Sequence, residues 1–571
     1  MSLSLPLSKA YDEVVTGSDL TRRETDVLVA LCRPLLSDDV IAQPASVKEI
    51  ASELVVTEAA VKQHLLHLYD KLRITEGNER RRVALAREAI RLGLVEAPAR
   101  VSADDPLHAG REAFARYEWE RAAALLEGAE GPDDVLLLGE ALLWANRHDE
   151  SLTAKERAYQ AYLRAGDERR AGYVAVLLTV HNAVRLDMAV AGAWLARAEK
   201  LLGPDPGCRE HGYLSFVLTL LKEAAGEWDA VLELAGRMRE LGRKHADADL
   251  EALGLTFQGL VATRRGAREE GERLLDEAMA SAVGGELGML ATGVVYCRMI
   301  CACLALHDYR RAGEWTDVVD RCGHTTGLGG FPGDCRTHRT VVLVKRGAWA
   351  EGEREALQAI EETQAFDLPH TGAVSYELGE LRRRQGDLDG AEESFLRAHE
   401  LGVNPRPGIS LVQLARGEVA AAAESIDDAL EDAGLDALAR APFLAARVEV
   451  ALACGDVDAA RAAARELDET AQAFGTPALA ADAAYAGGAA AVTAGDTADA
   501  AQLLKRAHRL WLDAEMPYEA ARARELLAEA QLASGKSDSS KLELRAARAA
   551  FGHLGAVLDA ERVDRRLATL V

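Results

Sequence analysis

A turn recurs at a nearly fixed interval along most of the chain, and this regularity limits the folds that the chain can adopt. Successive turns lie 31 to 41 residues apart, and most of the turns pair a glycine with an acidic residue. The recurring pattern is an apolar segment, the turn and then an alanine-rich segment. One helix pair cannot bury its own apolar face, so a fixed period of this length indicates stacked pairs. The strongest turns are at Gly226, Gly266, His307, Gly347, Gly386, Gly417, Gly455, Gly495 and Gly535.

Weaker turns near Glu118, Arg147 and Leu186 extend the series towards the N-terminus. The series therefore predicts about twelve helix pairs. Alanine, leucine, arginine and glutamate, which are all good helix formers, dominate the chain, and only 5% of the residues are aromatic. The predicted class is all-α.

The period alone fits HEAT repeats, which are about 40–47 residues long, better than tetratricopeptide repeats of about 34 residues. Local chemistry favours the second kind. Leu378 and Gly379 precede the Gly386 turn by seven residues, and small residues then flank Phe395. Small residues let two helices approach, and the aromatic ring fills the space between them. We predict a tetratricopeptide-like, right-handed α-solenoid with lengthened helices.

The first hundred residues follow a different pattern. Thr21 with Glu24 and Ser46 with Glu49 form two predicted capping boxes, and Thr57 can cap a third helix. A fourth helix is predicted over residues 79–92. This pattern includes a short helix, a tight turn and a longer helix with a polar outer face. It matches the helix-turn-helix plan, in which the second helix enters the major groove of DNA.

Charge separates the two parts of the chain. Residues 1–100 contain 14 lysines and arginines against 15 acidic residues, whereas the remaining residues contain 53 against 77. Residues 59–95 hold eight basic and four acidic residues, so the predicted third and fourth helices form a locally basic region in a chain of net charge −25.

Two segments carry a specific resemblance, "LTRRETDVL" and "KEIASELVVTEAAVKQHLLHLYDKLRI". They resemble the LuxR-type helix-turn-helix, and the longer loop at 34–45 and the ending "RRVALAREAIRLGLV" are similar to a variant found beside forkhead-associated domains in actinobacteria. Ala60 stands where the family usually has a threonine that helps to hold the DNA backbone. The resemblance implies double-stranded DNA as a partner.

Lys62 and Gln63 are of types that reach base edges or phosphates, and Lys48 could hold the backbone. The complete predicted DNA-binding set is Lys48, Thr57, Ala59, Lys62, Gln63, His64, Arg73, Arg80 and Arg81.

The array also carries a resemblance, in "GGFPGDCRTHRTVVLVKRGAWAEGE", "ELGELRRRQGDLDGAEESFLRAHELGVNPRPGISLVQLARGEV" and "MPYEAARARELLAEA". These stretches resemble the helical-repeat part of actinobacterial LuxR and MalT-type transcriptional regulators, which implies a protein or ligand partner that modulates DNA binding. We predict a DNA-binding domain over 1–95, a linker over 96–106 and a repeat solenoid over 107–571. The alternative is a non-enzymatic scaffold whose N-terminal module docks on protein.

Cysteine and histidine cluster in the middle of the array. Thiolate and imidazole are good ligands for zinc. Free cysteine is also an ordinary small core residue, and the spacing matches no known metal motif. Core packing is therefore the favoured interpretation, with no metal predicted. The alternative ligands are Cys297, Cys301, Cys303, His307, Cys322, His324, Cys335 and His338.

The sequence contains no recognisable catalytic constellation, so we predict no enzyme activity and no cofactor. Eight cysteines without a disulfide framework indicate a cytoplasmic protein. No apolar run is long enough to cross a membrane, so no membrane partner is predicted. The sequence leaves the oligomeric state open, a homodimer included.

Overall fold

A computed structural model describes residues 20–36, 44–54, 56–72, 74, 81–92, 94–95, 105–326, 332–431 and 434–570. Within these ranges every regular element is a helix, which confirms the predicted all-α class. Among these helices, none combines the length and the apolar character that a membrane crossing requires.

The N-terminal module begins with α1 (Arg22–Cys32), which continues into a short 3₁₀ helix (Arg33–Leu36). It continues with α2 (Val47–Leu54), α3 (Glu58–Lys71) and α4 (Arg81–Arg91). Both predicted capping boxes are confirmed, because Thr21 and Ser46 each exchange hydrogen bonds with the glutamate three residues later. The Thr57 hydroxyl oxygen accepts a hydrogen bond from the Ala60 amide at 3.3 Å, as predicted for the cap of α3.

One apolar core holds the four helices together. It takes side chains at helical spacing from each of them, which is why a helix as short as α2 is stable here. At the edge of this core the Lys71 Nζ atom lies 2.6 Å from the Glu24 carboxylate and joins the end of α3 to the start of α1. Burial raises the pKa of Glu24, but the hydrogen bonds from Lys71 and Thr21 outweigh burial and lower the pKa to about 2. The core includes Val27, Leu28, Leu31, Ile50, Val61, Leu65, Leu68, Leu85 and Ala89.

The array comprises twelve helix pairs and a final helix in the described residues, which confirms the predicted number. It begins at Pro106, with the Asp105 side chain capping the first helix. The first helices of the pairs are α5 (Pro106–Ala115), α7 (Pro132–Trp144), α9 (Glu168–Val184), α11 (Arg209–Ala224), α13 (Ala248–Arg264), α15 (Met289–Ala305), α17 (Pro332–Lys345), α19 (Leu368–Gln385), α21 (Gly408–Ala415), α23 (Ala437–Ala453), α25 (Pro477–Ala494) and α27 (Pro517–Ala533).

The second helices of the pairs alternate with the first. They are α6 (Trp119–Leu126), α8 (His148–Ala165), α10 (Met188–Leu202), α12 (Trp228–His245), α14 (Arg268–Val283), α16 (Tyr309–Thr326), α18 (Trp349–Thr363), α20 (Leu388–Glu400), α22 (Val419–Leu430), α24 (Val457–Phe474), α26 (Thr497–Asp513) and α28 (Ser537–Leu554), with α29 (Val557–Thr569) after the last pair.

The predicted turns close the first helix of each pair through a left-handed residue. All nine strong turn positions have positive φ, from +54° at His307 to +94° at Gly386. The weaker turns have positive φ at Tyr117, Asn146 and Leu186. Glycine is favoured at such positions because it has no Cβ to clash with the backbone. The turn series, read from the sequence, is confirmed.

The tetratricopeptide-like packing is clearest around Phe395. The ring is fully buried between α19 and α21. A Cβ atom added at Gly379 would lie 2.7 Å from a Phe395 ring carbon, and one added at Gly408 would also clash with the ring. Two glycines therefore make room for one aromatic side chain, as the small-residue pattern predicts.

The array coils back on itself. The Thr476 hydroxyl before α25 donates a hydrogen bond of 2.7 Å to the Leu306 carbonyl at the end of α15, across 170 residues. Arg346 after α17 pairs with Glu515 before α27 at 2.9 Å. Each contact joins a helix pair to the pair five places further along the chain. First helices of different pairs therefore meet inside the coil.

Candidate functional site

The first candidate site is the exposed side of α3. Ala59, Lys62, Gln63 and Leu66 are all exposed, and their spacing of three and four residues places them on one helix face. We call these four residues the α3 outer face. The opposite side of α3 carries Val61, Leu65 and Leu68, which are buried in the module core. The sequence predicts a polar outer face for this helix, and Lys62 and Gln63 are exposed there.

Other predicted DNA-binding residues surround the α3 outer face. Lys48 is exposed on α2, and Thr57 is exposed at the N-terminus of α3. His64 is half-buried. Helix N-termini attract anions because their first amide groups point outwards without partners. Arg73 and Arg80, which belong to the predicted set, lie outside the described residues.

The arginines Arg81 and Arg82 of α4 are less exposed than the predicted DNA-binding residues Lys62 and Gln63 of α3. Arg81 is half-buried, with its guanidinium carbon 5.6 Å from the centre of the Tyr69 ring. Arg82 is buried and donates a hydrogen bond of 3.0 Å to the Ala45 carbonyl inside the module. The Arg82 Nη2 atom lies 3.5 Å from the Gly285 carbonyl oxygen of the array. Part of the local basic charge thus holds the module together.

A second contact joins α4 to the array. The Arg87 guanidinium carbon lies 4.4 Å from the centre of the Tyr117 ring, within the range of a cation–π interaction. Arg87 and Arg82 therefore both contact array residues, whereas the residues of the α3 outer face are exposed.

The second candidate site lies between two first helices of the array. Cys297 and Cys301 are on α15, and His338 is on α17. The His338 Nε2 atom lies 3.2 Å from the Cys301 sulfur and 4.0 Å from the Cys297 sulfur. The hydrogen bond from Cys297 and the neighbouring His338 together hold the pKa of the Cys301 thiol well below its usual value, although burial opposes them. The sequence named all three residues but could not show that they meet.

Cys303 and His307, which belong to the predicted cysteine and histidine cluster, have other partners than Cys297, Cys301 and His338. The Cys303 sulfur is buried against the Met299 sulfur at 4.0 Å, and burial raises the pKa of this thiol to about 12. The His307 ring pairs with Asp482 at 3.0 Å. For Cys303 the predicted core role is confirmed. The side chains of Cys322, His324 and Cys335 lie outside the described residues.

An open cleft of about 680 Å³ lies at the start of the array. Its walls include the Trp119 and Trp144 rings, whose centres are 6.1 Å apart, together with Arg121. Glu362 of α18 also lines the cleft, so residues from distant helix pairs contribute to it. Both tryptophan side chains are largely buried, with exposed fractions of 8% for Trp119 and 5% for Trp144.

No protein-family model and no curated protein sequence matches this chain. Among solved structures, a chain in the crystal structure of the APC/C hetero-tetramer Cut9-Hcn1 is similar. The TM-score is 0.34 at 12% sequence identity, and the alignment covers 81% of this chain and 96% of that chain.

Proposed function

We propose that this protein is a sequence-specific, DNA-binding transcriptional regulator whose array binds a protein or peptide partner that modulates DNA binding. The observation that carries the proposal is the α3 outer face. It presents Lys62 and Gln63 to solvent on a helix that follows α2 after a break of three residues. The resemblance of this region to the LuxR-type helix-turn-helix supports the same assignment.

In this proposal the exposed side chains have separate tasks. Lys62 and Gln63 read base edges in the major groove, where lysine contacts guanine and glutamine contacts adenine. Lys48 and the N-terminus of α3, capped by Thr57, hold phosphates and fix the orientation of the helix. Arg81 is half-buried against Tyr69 and has a smaller share in phosphate binding than its charge alone would indicate.

The first test is a double substitution of Lys62 and Gln63 by alanine in the full chain. Each lost base contact should cost about 1–3 kcal/mol of discrimination between a selected duplex and a scrambled one. Titrations of both duplexes measure this difference. The matched control replaces Gln502 and Lys505 by alanine, because these residues are of the same types and are exposed on α26. Equal affinity of the unmodified chain for both duplexes, unchanged in the double variant, would contradict the proposal.

The array should weaken non-specific DNA binding. It carries most of the negative charge of the chain, and the module is close to neutral. Non-specific affinity comes mainly from phosphate contacts and falls steeply with salt. The fragment 1–98 should therefore bind random-sequence DNA more tightly than the full chain at low salt. The difference should narrow as the Debye length falls to about 8–10 Å near physiological salt.

A salt series on both proteins measures this effect. Identical binding curves would show that the charge of the array has no influence on DNA binding. If the predicted difference is found, a partner that covers the acidic array can raise DNA affinity without touching the α3 outer face, which provides a mechanism of regulation.

One observation favours the alternative of a protein scaffold. Leu66 lies on the α3 outer face beside Lys62 and Gln63 and is 54% exposed. An exposed leucine among polar residues is also suited to contact with another protein. If the module docks on protein, the double variant of Lys62 and Gln63 should leave DNA retention at its background value.

A further inference from the structure

Three potential metal ligands from two helices lie close together in the array, an arrangement that core packing alone does not require. They are Cys297, Cys301 and His338. The two cysteines are one helical turn apart on α15, so their sulfur atoms lie on the same face. His338 comes from a different helix, α17, and is 6% exposed. The three candidate donor atoms all lie within 4.8 Å of one another.

We propose that these three side chains bind one zinc ion. Two thiolates and one imidazole are donors that zinc prefers, and Cys₂His sets with an open fourth position are known for this metal. Bonds of about 2.3 Å to sulfur and about 2.1 Å to nitrogen, at a tetrahedral angle, separate the donor atoms by roughly 3.5–3.8 Å. The observed separations of 3.2 and 4.0 Å from His338 to the two sulfurs lie on either side of that range.

Two other cysteines show what packing alone looks like in this chain. The Cys303 sulfur is buried against a methionine sulfur, and the Cys32 sulfur is buried beside the Ala86 carbonyl at 3.8 Å. Cys297 and Cys301, in contrast, are only partly buried, and both sulfurs lie near an imidazole nitrogen from another helix. A bound ion would join α15 to α17, the first helices of consecutive pairs, and would leave one coordination position for water or an added ligand.

The test uses the full chain, reduced and stripped of metal, and cobalt(II) as a spectroscopic substitute for zinc. One equivalent of cobalt should give a thiolate-to-metal charge-transfer band that zinc then abolishes. Cys301→Ser and His338→Gln should each weaken zinc binding by more than about 100-fold, because loss of an outer-shell partner alone costs about 10–100-fold. The matched control is Cys454→Ser, which changes an exposed free cysteine outside the site.

Thermal unfolding provides a second readout that does not depend on spectroscopy. Zinc in excess should raise the Tm of the unmodified chain and of Cys454→Ser, since a ligand of the folded state stabilises it, and should leave the Tm of the site variants unchanged. Circular dichroism shows whether each variant is folded. The absence of a thiolate band in the unmodified chain would overturn the proposal. Zinc binding that requires Cys322 or Cys335 but not Cys297, Cys301 and His338 would overturn it as well.

Discussion

Replacing Phe395 by alanine should lower the free energy of unfolding of the array by about 3–5 kcal/mol, the usual cost of truncating a buried phenylalanine. The ring is fully buried, and its centre lies 5.2 Å from that of the Tyr376 ring. Gly379 and Gly408 leave no other side chain to fill the space. In a solenoid each pair is stabilised mainly by its neighbours, so the loss should concentrate in α19–α21.

Urea unfolding and hydrogen exchange of peptides from α19–α21 measure this effect. The matched control is Leu396→Ala, because Leu396 is the next residue on the same helix but is 51% exposed. It should change stability by less than about 0.5 kcal/mol. Equal effects of the two substitutions would show that Phe395 does not hold α19 and α21 together.

Replacing Arg384 by methionine should destabilise the chain by about 3 kcal/mol, because it leaves the Glu519 carboxylate buried without its closest cation. The Arg384 Nη2 atom lies 3.0 Å from that carboxylate, and the two side chains are only 6% and 8% exposed. The pair joins α19 to α27 inside the coil. The double variant Arg384→Met with Glu519→Leu should recover most of the loss, since an apolar pair of similar volume avoids the cost of burying charge.

The effect of this substitution should depend on pH. Burial opposes the ionisation of Glu519, yet Arg384 and Lys345 hold its pKa below the usual value in the folded chain. The ionised carboxylate therefore stabilises the folded chain at pH values above the unfolded pKa of about 4.3. This stabilisation is lost as the pH falls through the pKa of Glu519 in the folded chain. Without Arg384, burial should raise the folded pKa above the unfolded one, and stability is then lost as the pH rises.

The stability deficit of Arg384→Met relative to the unmodified chain should therefore be larger at pH 7 than at pH 5. Denaturant unfolding at both pH values measures the deficit. The double variant lacks the carboxylate and should show little change between them. A deficit of the same size at both values would indicate lost packing of the arginine side chain rather than an uncompensated charge.

The parts of the fold that depend on neighbouring residues could be predicted from the sequence. The left-handed turn at Gly386 and the capping box of Thr21 with Glu24 are local, because backbone strain and hydrogen bonds within a few residues decide them. The division of α3 into a buried stripe and an exposed face follows from helical spacing alone. The number of helix pairs followed from the spacing of the turns.

Contacts between distant repeats could not be predicted in the same way. Arg384 and Glu519 are 135 positions apart in the sequence, and their meeting depends on the small rotation between successive pairs, which the repeat period does not contain. The same rotation brings His338 to the two cysteines of α15. The basic residues of α4 illustrate a related limit, because charge alone does not reveal that Arg82 donates to carbonyl groups on both sides of the module boundary.

In the proposed function, the α3 outer face reads the DNA sequence. Genome-wide capture of DNA bound to the full chain in its native cells tests it most directly, with the double alanine variant of Lys62 and Gln63 as the comparison. We expect the unmodified chain to recover a limited set of sites that share one sequence motif, and the variant to lose them. Recovery of no enriched motif, or of the same sites by both proteins, would contradict the claim.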